Sequence, residues 1–173
     1  LNYTAGQNGS ITGVAFQYVS YEDDGDPVTA VPNTGYHFVK WSDERTDNPR
    51  TDVEVTANVN VTAVFAVTQF TLNYASGANG CIWGVSSQTV SQGGNGSIIV
   101  ALADTGYHFA GWSDGWLHPG GYHYIRRDLN VLQNVNATAS FALNQYTLQY
   151  TAGTGGTISC ETTQTVAHGG HGT

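Results

Sequence analysis

The sequence predicts a mainly β protein made of tandem copies of one small β-rich domain. Three observations carry that reading. The decapeptide TGYHFVKWSD (34–43) returns 71 residues later as TGYHFAGWSD (105–114), with eight of ten residues unchanged. The chain holds 22 Gly among 173 residues and is rich in Asn, Thr, Tyr and Val; Thr, Tyr and Val favour strands, and Gly and Asn favour turns. No long stretch shows the apolar period of a helix, so helix is expected to be scarce.

The repeat sets the domain organisation. LNYTAGQNGSI (1–11) reappears as LNYASGANGCI (72–82) and as LQYTAGTGGTI (148–158), and NVTAVFA (60–66) reappears as NATASFA (136–142). Self-similarity at a fixed period is the mark of an array. The expected domains are 1–70, 71–146 and an incomplete third copy over 147–173 that holds opening strands only. The opening inside LNYT and the shortness of the third copy suggest a piece of a longer precursor. The second copy carries extra residues between Trp112 and Asn136, where WLHPGGYHYIRRDL stands in place of ERTDNPRTD.

Each copy reads as short strands in order. LNYT is an alternating strand that ends in a Gly-rich turn. Asn-Gly at 8–9 and 79–80 is a hairpin signal, because both residue types tolerate positive φ. A second strand follows, then a variable polar turn: YEDDGD, SQGGNG or AHGGHG. Two further strands meet at Asn33–Gly35 and at Asp104–Gly106. Alternation places Tyr36 and Phe38 on one face and His37, Val39 and Trp41 on the other, which predicts a central strand. The copy closes on VNVTAVFAV or VNATASFAL. The junctions FAVTQFTLNY (65–74) and FALNQYTLQY (141–150) contain no Gly/Ser or Pro linker, so neighbours are expected in a stiff relation.

The expected core is aromatic. Tyr36, Phe38, Trp41 and Phe65 in the first copy match Tyr107, Phe109, Trp112 and Phe141 in the second. Large aromatic side chains dominate small cores by buried area, and a ligand-stacking shelf is the alternative use.

Charge and motifs exclude several classes. The net charge is −8, and no basic stripe exists to neutralise phosphates, so no nucleic-acid partner is expected. No apolar run is long enough to insert in a membrane. Cys81 and Cys160 do not correspond between copies and read as two small buried or half-exposed residues, with a bridge between neighbouring repeats as the alternative. GWSDG (111–115) matches the Gly-x-Ser-x-Gly nucleophile pattern, but its strand–turn–helix setting is missing and the first copy lacks both glycines. Asp23, Asp24 and Asp26 lack the spacing of a calcium loop. His168 and His171 in HGGHG, like His118 and His123, supply too few ligands for zinc. Lys40 is no isopeptide candidate, since Gly111 takes its place in the second copy. The Asn-x-Ser/Thr triplets reflect the general enrichment in Asn and Thr. No catalytic residue, metal or cofactor is expected. The feature the repeat does not require is GWLHPGGYHYIRR (115–127). Its Trp116, Tyr122, Tyr124, Arg126 and Arg127 are contact-prone types and form the candidate binding set.

The pattern YTAGxNGxI … VTAxPNTGYHFVKWSD … NVTAVFA resembles the divergent branch of the internalin-type B-repeats, also called Listeria–Bacteroides repeats. The resemblance covers essentially the whole chain and is most specific at Gly35–Trp41 and Gly106–Trp112. It implies small β-rich units, β-grasp-like or compact sheets, in tandem on bacterial surface or secreted proteins. The implied role is a non-enzymatic spacer, stalk, adhesin or filament component at the cell surface, with neighbouring repeats or subunits as partners. Two other roles remain open: a module binding glycan or a host protein through the 115–127 loop, and an accessory region of a larger secreted enzyme.

Overall fold

The structure is a computed structural model that describes residues 1–172. It contains strands and turns and, among the described residues, no helix. The chain divides into two compact units, the first built from residues 1–69 and the second from Phe70 onward, with Ser91–Gly93 grouping with the first.

The first unit has five strands: β1 (Asn2–Ala5), β2 (Gly9–Thr12), β3 (Thr29–Pro32), β4 (Tyr36–Trp41) and β5 (Asn60–Val67). One sheet has the order β1-β5-β4. Its first and last strands lie side by side and parallel, with Asn2 opposite Asn60 and Ala5 opposite Ala63. β4 runs antiparallel on the other side of β5. β2 and β3 form a separate antiparallel pair. Between the two layers sit Tyr3, Val28, Ala30, Trp41, Val61 and Ala63, all buried, with Phe38 and Phe65 packed against them.

The second unit repeats this plan with β6 (Gln69–Ser76), β7 (Gly80–Trp83), β8 (Ser87–Ser91), β9 (Ile99–Ala103), β10 (Tyr107–Trp112), β11 (Ile125–Arg126) and β12 (Val135–Leu143). β6 is parallel to β12, β10 is antiparallel to β12, and β8 adds to the free side of β6. The second layer is β11-β9-β7. The core is Leu72, Tyr74, Ile99, Ala101, Trp112, Val131, Ala137 and Ala139. The partial third copy contributes a two-stranded antiparallel ladder, β13 (Gln145–Gln149) with β14 (Thr163–Ala167).

Three expectations change. The Asn-Gly corners are real turns, with Asn8 at φ 72 and Asn79 at φ 67. They are not hairpins, because β1 and β2 belong to different sheets. The glycine serves a second need: a Cβ at Gly9 or Gly80 would strike the ring of Phe65 or Phe141. Likewise the strands flanking Asn33–Gly35 do not pair with each other, since β3 bonds to β2 and β4 to β5.

The third change concerns Trp41. β4 is an edge strand, and so is β10. A bulge leaves Val39 without a partner, so that Phe38 opposes Phe65, Lys40 opposes Val64 and Trp41 opposes Ala63. An extra residue in a strand reverses the facing of the residues after it. Trp41 therefore turns to the face of Phe38, with ring centroids 5.6 Å apart. The bulge recurs between Phe109 and Gly111, with the same 5.6 Å between Phe109 and Trp112. In both units the residue opposite the Trp is a fully buried Ala, which leaves room for the indole. Tyr36 and Tyr107 open their strands beside a turn; they are half-buried and lie outside the two clusters.

Candidate functional site

Charged residues that sequence reasoning did not place in the core form the centre of each unit. After β4 the chain turns through Asp43 and returns along Arg50-Thr51-Asp52. Arg50 exchanges two backbone hydrogen bonds with Val28 at 2.8 and 2.9 Å, which docks this segment on the edge of β3. Its side chain is driven inward and is 1% exposed. Nε and Nη2 donate to Asp52 at 2.7 and 2.8 Å, and Nη1 and Nη2 donate to Asp43 at 2.8 Å each. The guanidinium lies 5.4 Å from the Trp41 ring centre and 5.9 Å from that of Tyr3. Tyr3 Oη donates to Asp52 at 2.8 Å.

The second unit builds the same assembly from Arg126, Asp114, Asp128, Tyr74 and Trp112. Arg126 pairs with Asp128 at 2.8 and 2.9 Å and with Asp114 at 2.7 and 2.8 Å. Tyr74 Oη donates to Asp128 at 2.6 Å. The Trp112 ring centre lies 5.3 Å from the guanidinium. An unpaired buried charge is prohibitive, and two bidentate carboxylates with aromatic faces on the open sides remove that problem. No buried side-chain polar atom lacks a partner among the described residues.

The electrostatics reflect these contacts. The Arg50 hydrogen bonds and charge hold Asp43 below its ordinary value, and Arg126 does the same for Asp114. Burial pushes Asp52 up, but the bonds from Arg50 and Tyr3 outweigh it and leave Asp52 low. Burial, then the bond to the carboxylate, drives the Tyr3 and Tyr74 phenols well above their usual range. These members of the cluster are thus locked in one charge state near neutral pH, which is the behaviour of a structural tie and not of a proton shuttle.

Alignment through these bonds locates the insertion. Trp41 Nε1 donates to the Asp47 carbonyl at 2.9 Å, and Trp112 Nε1 to the His123 carbonyl at 2.9 Å. Ala30 is bonded at both backbone groups by the Asn48 side chain, whereas the Ala101 amide donates to the Tyr124 carbonyl. Asp47 and Asn48 therefore correspond to His123 and Tyr124. The added length falls in Gly115–Tyr122, which replaces Glu44–Thr46. Arg126 is not part of the insertion and is no surface contact. This corrects the binding role expected of it from sequence: burial between two carboxylates and three rings leaves it nothing to offer a ligand.

The other four candidates separate. Trp116 is half-buried and covers a further face of Arg126 at 5.3 Å. In the first unit Arg45 takes a different contact, donating to Asp52 at 2.6 Å. Tyr122 and Tyr124 are exposed and continue an edge-to-face ladder Trp116–His118–Tyr122–Tyr124, with centroids 5.9 to 6.3 Å apart. Arg127 is exposed and bonds the Gly96 carbonyl at 3.1 Å. A partial signal was present in the sequence: Trp-Ser-Asp is followed by Arg-x-Asp in both copies, once in the second (Arg126-Arg127-Asp128) and twice in the first (Arg45-Thr46-Asp47 and Arg50-Thr51-Asp52).

Residues 1–69 and 70–145 each match the family described as the divergent InlB B-repeat domain. The chain belongs to that family. No curated protein and no solved structure matches it.

In these two B-repeats the remaining motifs have local duties. Ser42 Oγ accepts from the Thr62 amide at 3.0 Å, and Ser113 Oγ accepts from the Thr138 amide at 2.9 Å, tying the turn to the closing strand. Lys40 meets Glu44 on the surface at 2.7 Å. Asp24 accepts from the Glu54 amide at 2.9 Å. His123 Nδ1 accepts from the His118 amide at 3.1 Å. Cys81 and Cys160 are free, and both are exposed rather than buried or half-exposed as the sequence suggested, since each sits where its side chain meets solvent. No group of three or more metal-ligating side chains occurs among the described residues, and no helix among them is long and apolar enough to cross a membrane.

Proposed function

We propose that this chain is a non-enzymatic spacer segment of a bacterial extracellular or cell-surface protein, with the B-repeat as its unit of length. One observation carries the reading. Both repeats commit their interior charges to the same self-satisfied Arg–Asp–Tyr–Trp tie, and the tie faces inward. Such groups stabilise the unit and are not free to work on a substrate. Membership in a family of tandem repeats points the same way. Antibodies against the folded repeats should label intact, unpermeabilised cells of the source organism. Labelling that requires permeabilised cells would sink the surface assignment.

A second reading rests on the exposed side of the 115–129 segment. Leu117, Tyr122 and Leu129 are 69%, 59% and 62% exposed, next to Tyr124. This surface suits a glycan or a protein partner. The informative control is Tyr122→Ala, since Trp116 also covers Arg126. A glycan and protein array bound equally by wild type and Tyr122→Ala, or by neither, rejects this reading.

A further inference from the structure

The opening strand of every copy begins the same ladder, and in the first copy the ladder is cut short. The backbone amide of Tyr3 donates to Ala15 O, that of Tyr74 to Ser86 O, and that of Tyr150 to Thr162 O, each at 2.8 Å. In the third copy the pairing then runs on from Gln149–Thr163 to Gln145–Ala167, and the His168 amide reaches Asn144 O at 2.8 Å. In the second copy β8 flanks β6, and the Gln92 amide reaches Thr68 O at 2.8 Å. In the first copy Asn2 opposes Phe16, and Leu1 and Gln17 exchange bonds at 2.8 and 2.9 Å. Among the described residues no backbone rung continues along Tyr18–Tyr21, which are the counterparts of Thr89–Gln92 and Thr165–His168.

The space beside this open edge is already shaped. A groove of about 430 Å³ is lined by Leu1, Phe16, Val19, Tyr21, Val55 and Asn58, among others. Phe16, Tyr18 and Tyr21 stand 58%, 93% and 72% exposed around it. Two positions ahead of Leu72, Phe70 packs on the core of the second unit. One position ahead, the Thr71 amide donates to Asn134 Oδ1 at 2.9 Å. Asn58 is the counterpart of Asn134, by the match of Asn60 to Asn136, and it lines the groove.

We propose that Tyr18–Tyr21 with Asn58 is a strand-acceptor site. Its occupant is an extended segment of the kind that precedes Leu72 and Leu148, with an aromatic residue two positions ahead of the leucine. Thr68–Thr71 and Asn144–Thr147, each Gln-aromatic-Thr after a polar residue, define that chemistry. The segment adds to the edge by main-chain bonds to the Val19 and Tyr21 amides, seats its aromatic ring in the groove, and donates its last amide to Asn58. An uncovered edge with aromatic flanks is otherwise a pairing hazard.

The test fuses a copy of the Val67–Thr71 sequence in front of Leu1 and follows amide hydrogen exchange. Exchange at Val19 and Tyr21 is expected to slow by about tenfold or more, while the second unit is unchanged. Replacing the phenylalanine of the extension by serine, or Asn58→Ala in the extended chain, should abolish most of that protection. Equal exchange at Val19 and Tyr21 with and without the extension overturns the proposal. So does protection of the same amides in the unextended chain that grows with protein concentration, because the occupant is then a second copy. Asn58→Ala also has its own readout: in the unextended chain it should leave the urea midpoint unchanged, which separates loss of the site from loss of the fold.

Discussion

Arg50 and Asp52 stand two residues apart and face each other through two parallel hydrogen bonds of 2.7 and 2.8 Å, with the guanidinium fully buried. This contact organises the repeat. It turns the segment after Trp41 into a strap across the sandwich and delivers an acceptor to Tyr3.

Removing the cation should be costly. Arg50→Met leaves Asp52 buried and acceptor-only, and a broken buried pair costs about 3–5 kcal/mol. Arg126→Met should behave alike in the second repeat. Arg50→Lys keeps the charge but not the fork, and is expected to recover only part of the loss. Urea denaturation followed by the fluorescence of Trp41 and Trp112 gives the numbers; a shift below about 1 kcal/mol for both Met variants rejects the central role.

Stability should fall at both ends of the pH scale. Asp43, Asp52 and Asp114 are lower in the fold than their ordinary 3.8. Their contribution is complete above that value and is lost as pH falls through the lower folded values. Tyr3 and Tyr74 are raised above 10.0, so their contribution is complete below 10.0 and is lost as the pH rises beyond it. Urea midpoints measured from acid to alkaline pH should show both limbs. In the double variant Tyr3→Phe and Tyr74→Phe the alkaline limb should shrink.

Gly9→Ala and Gly80→Ala should each destabilise by about 1–3 kcal/mol, because the new methyl meets the ring of Phe65 or Phe141. Trimming the ring as well, in Gly9→Ala with Phe65→Leu, should cost less than the sum of the two single changes. An additive result in a double-mutant cycle counts against the ring contact.

Asn48→Ala should destabilise the first repeat by about 1–3 kcal/mol, since both backbone groups of Ala30 lose their partner. The measurable mark is faster hydrogen exchange at the Ala30 amide. The Ala101 amide, bonded to the Tyr124 carbonyl, should be unaffected.

How much of this was legible in the sequence differs by element. The repeat, the strand content and the burial of Trp41 and Trp112 could be read, because self-similarity and aromatic placement are local signals. Sheet membership could not. Asn8-Gly9 looks like a hairpin turn, yet the partners of β1 and β2 are fixed by residues 60–63 and 29–32, far along the chain. The facing of Trp41 was misread because a bulge at Val39 leaves no compositional trace. Arg126 was grouped with the aromatic loop because Arg127 beside it and the added length hid its match to Arg50. A search for Arg-x-Asp after Trp-Ser-Asp marks Arg126 in the second copy, but in the first it returns both Arg45 and Arg50, and only the fold chooses Arg50.

The parallel pairing of β1 with β5 has a mechanical consequence. The polypeptide enters the first unit along β1 and leaves it along β5, and both strands point the same way. Tension applied through the two ends of the unit therefore runs along the strands, in opposite senses on neighbours. The hydrogen bonds joining Asn2–Ala5 to Asn60–Ala63 are loaded in shear and share the load together. An antiparallel terminal pair would be peeled open one bond at a time. β6 and β12 have the same arrangement, so each repeat resists pulling along its length better than its small core implies.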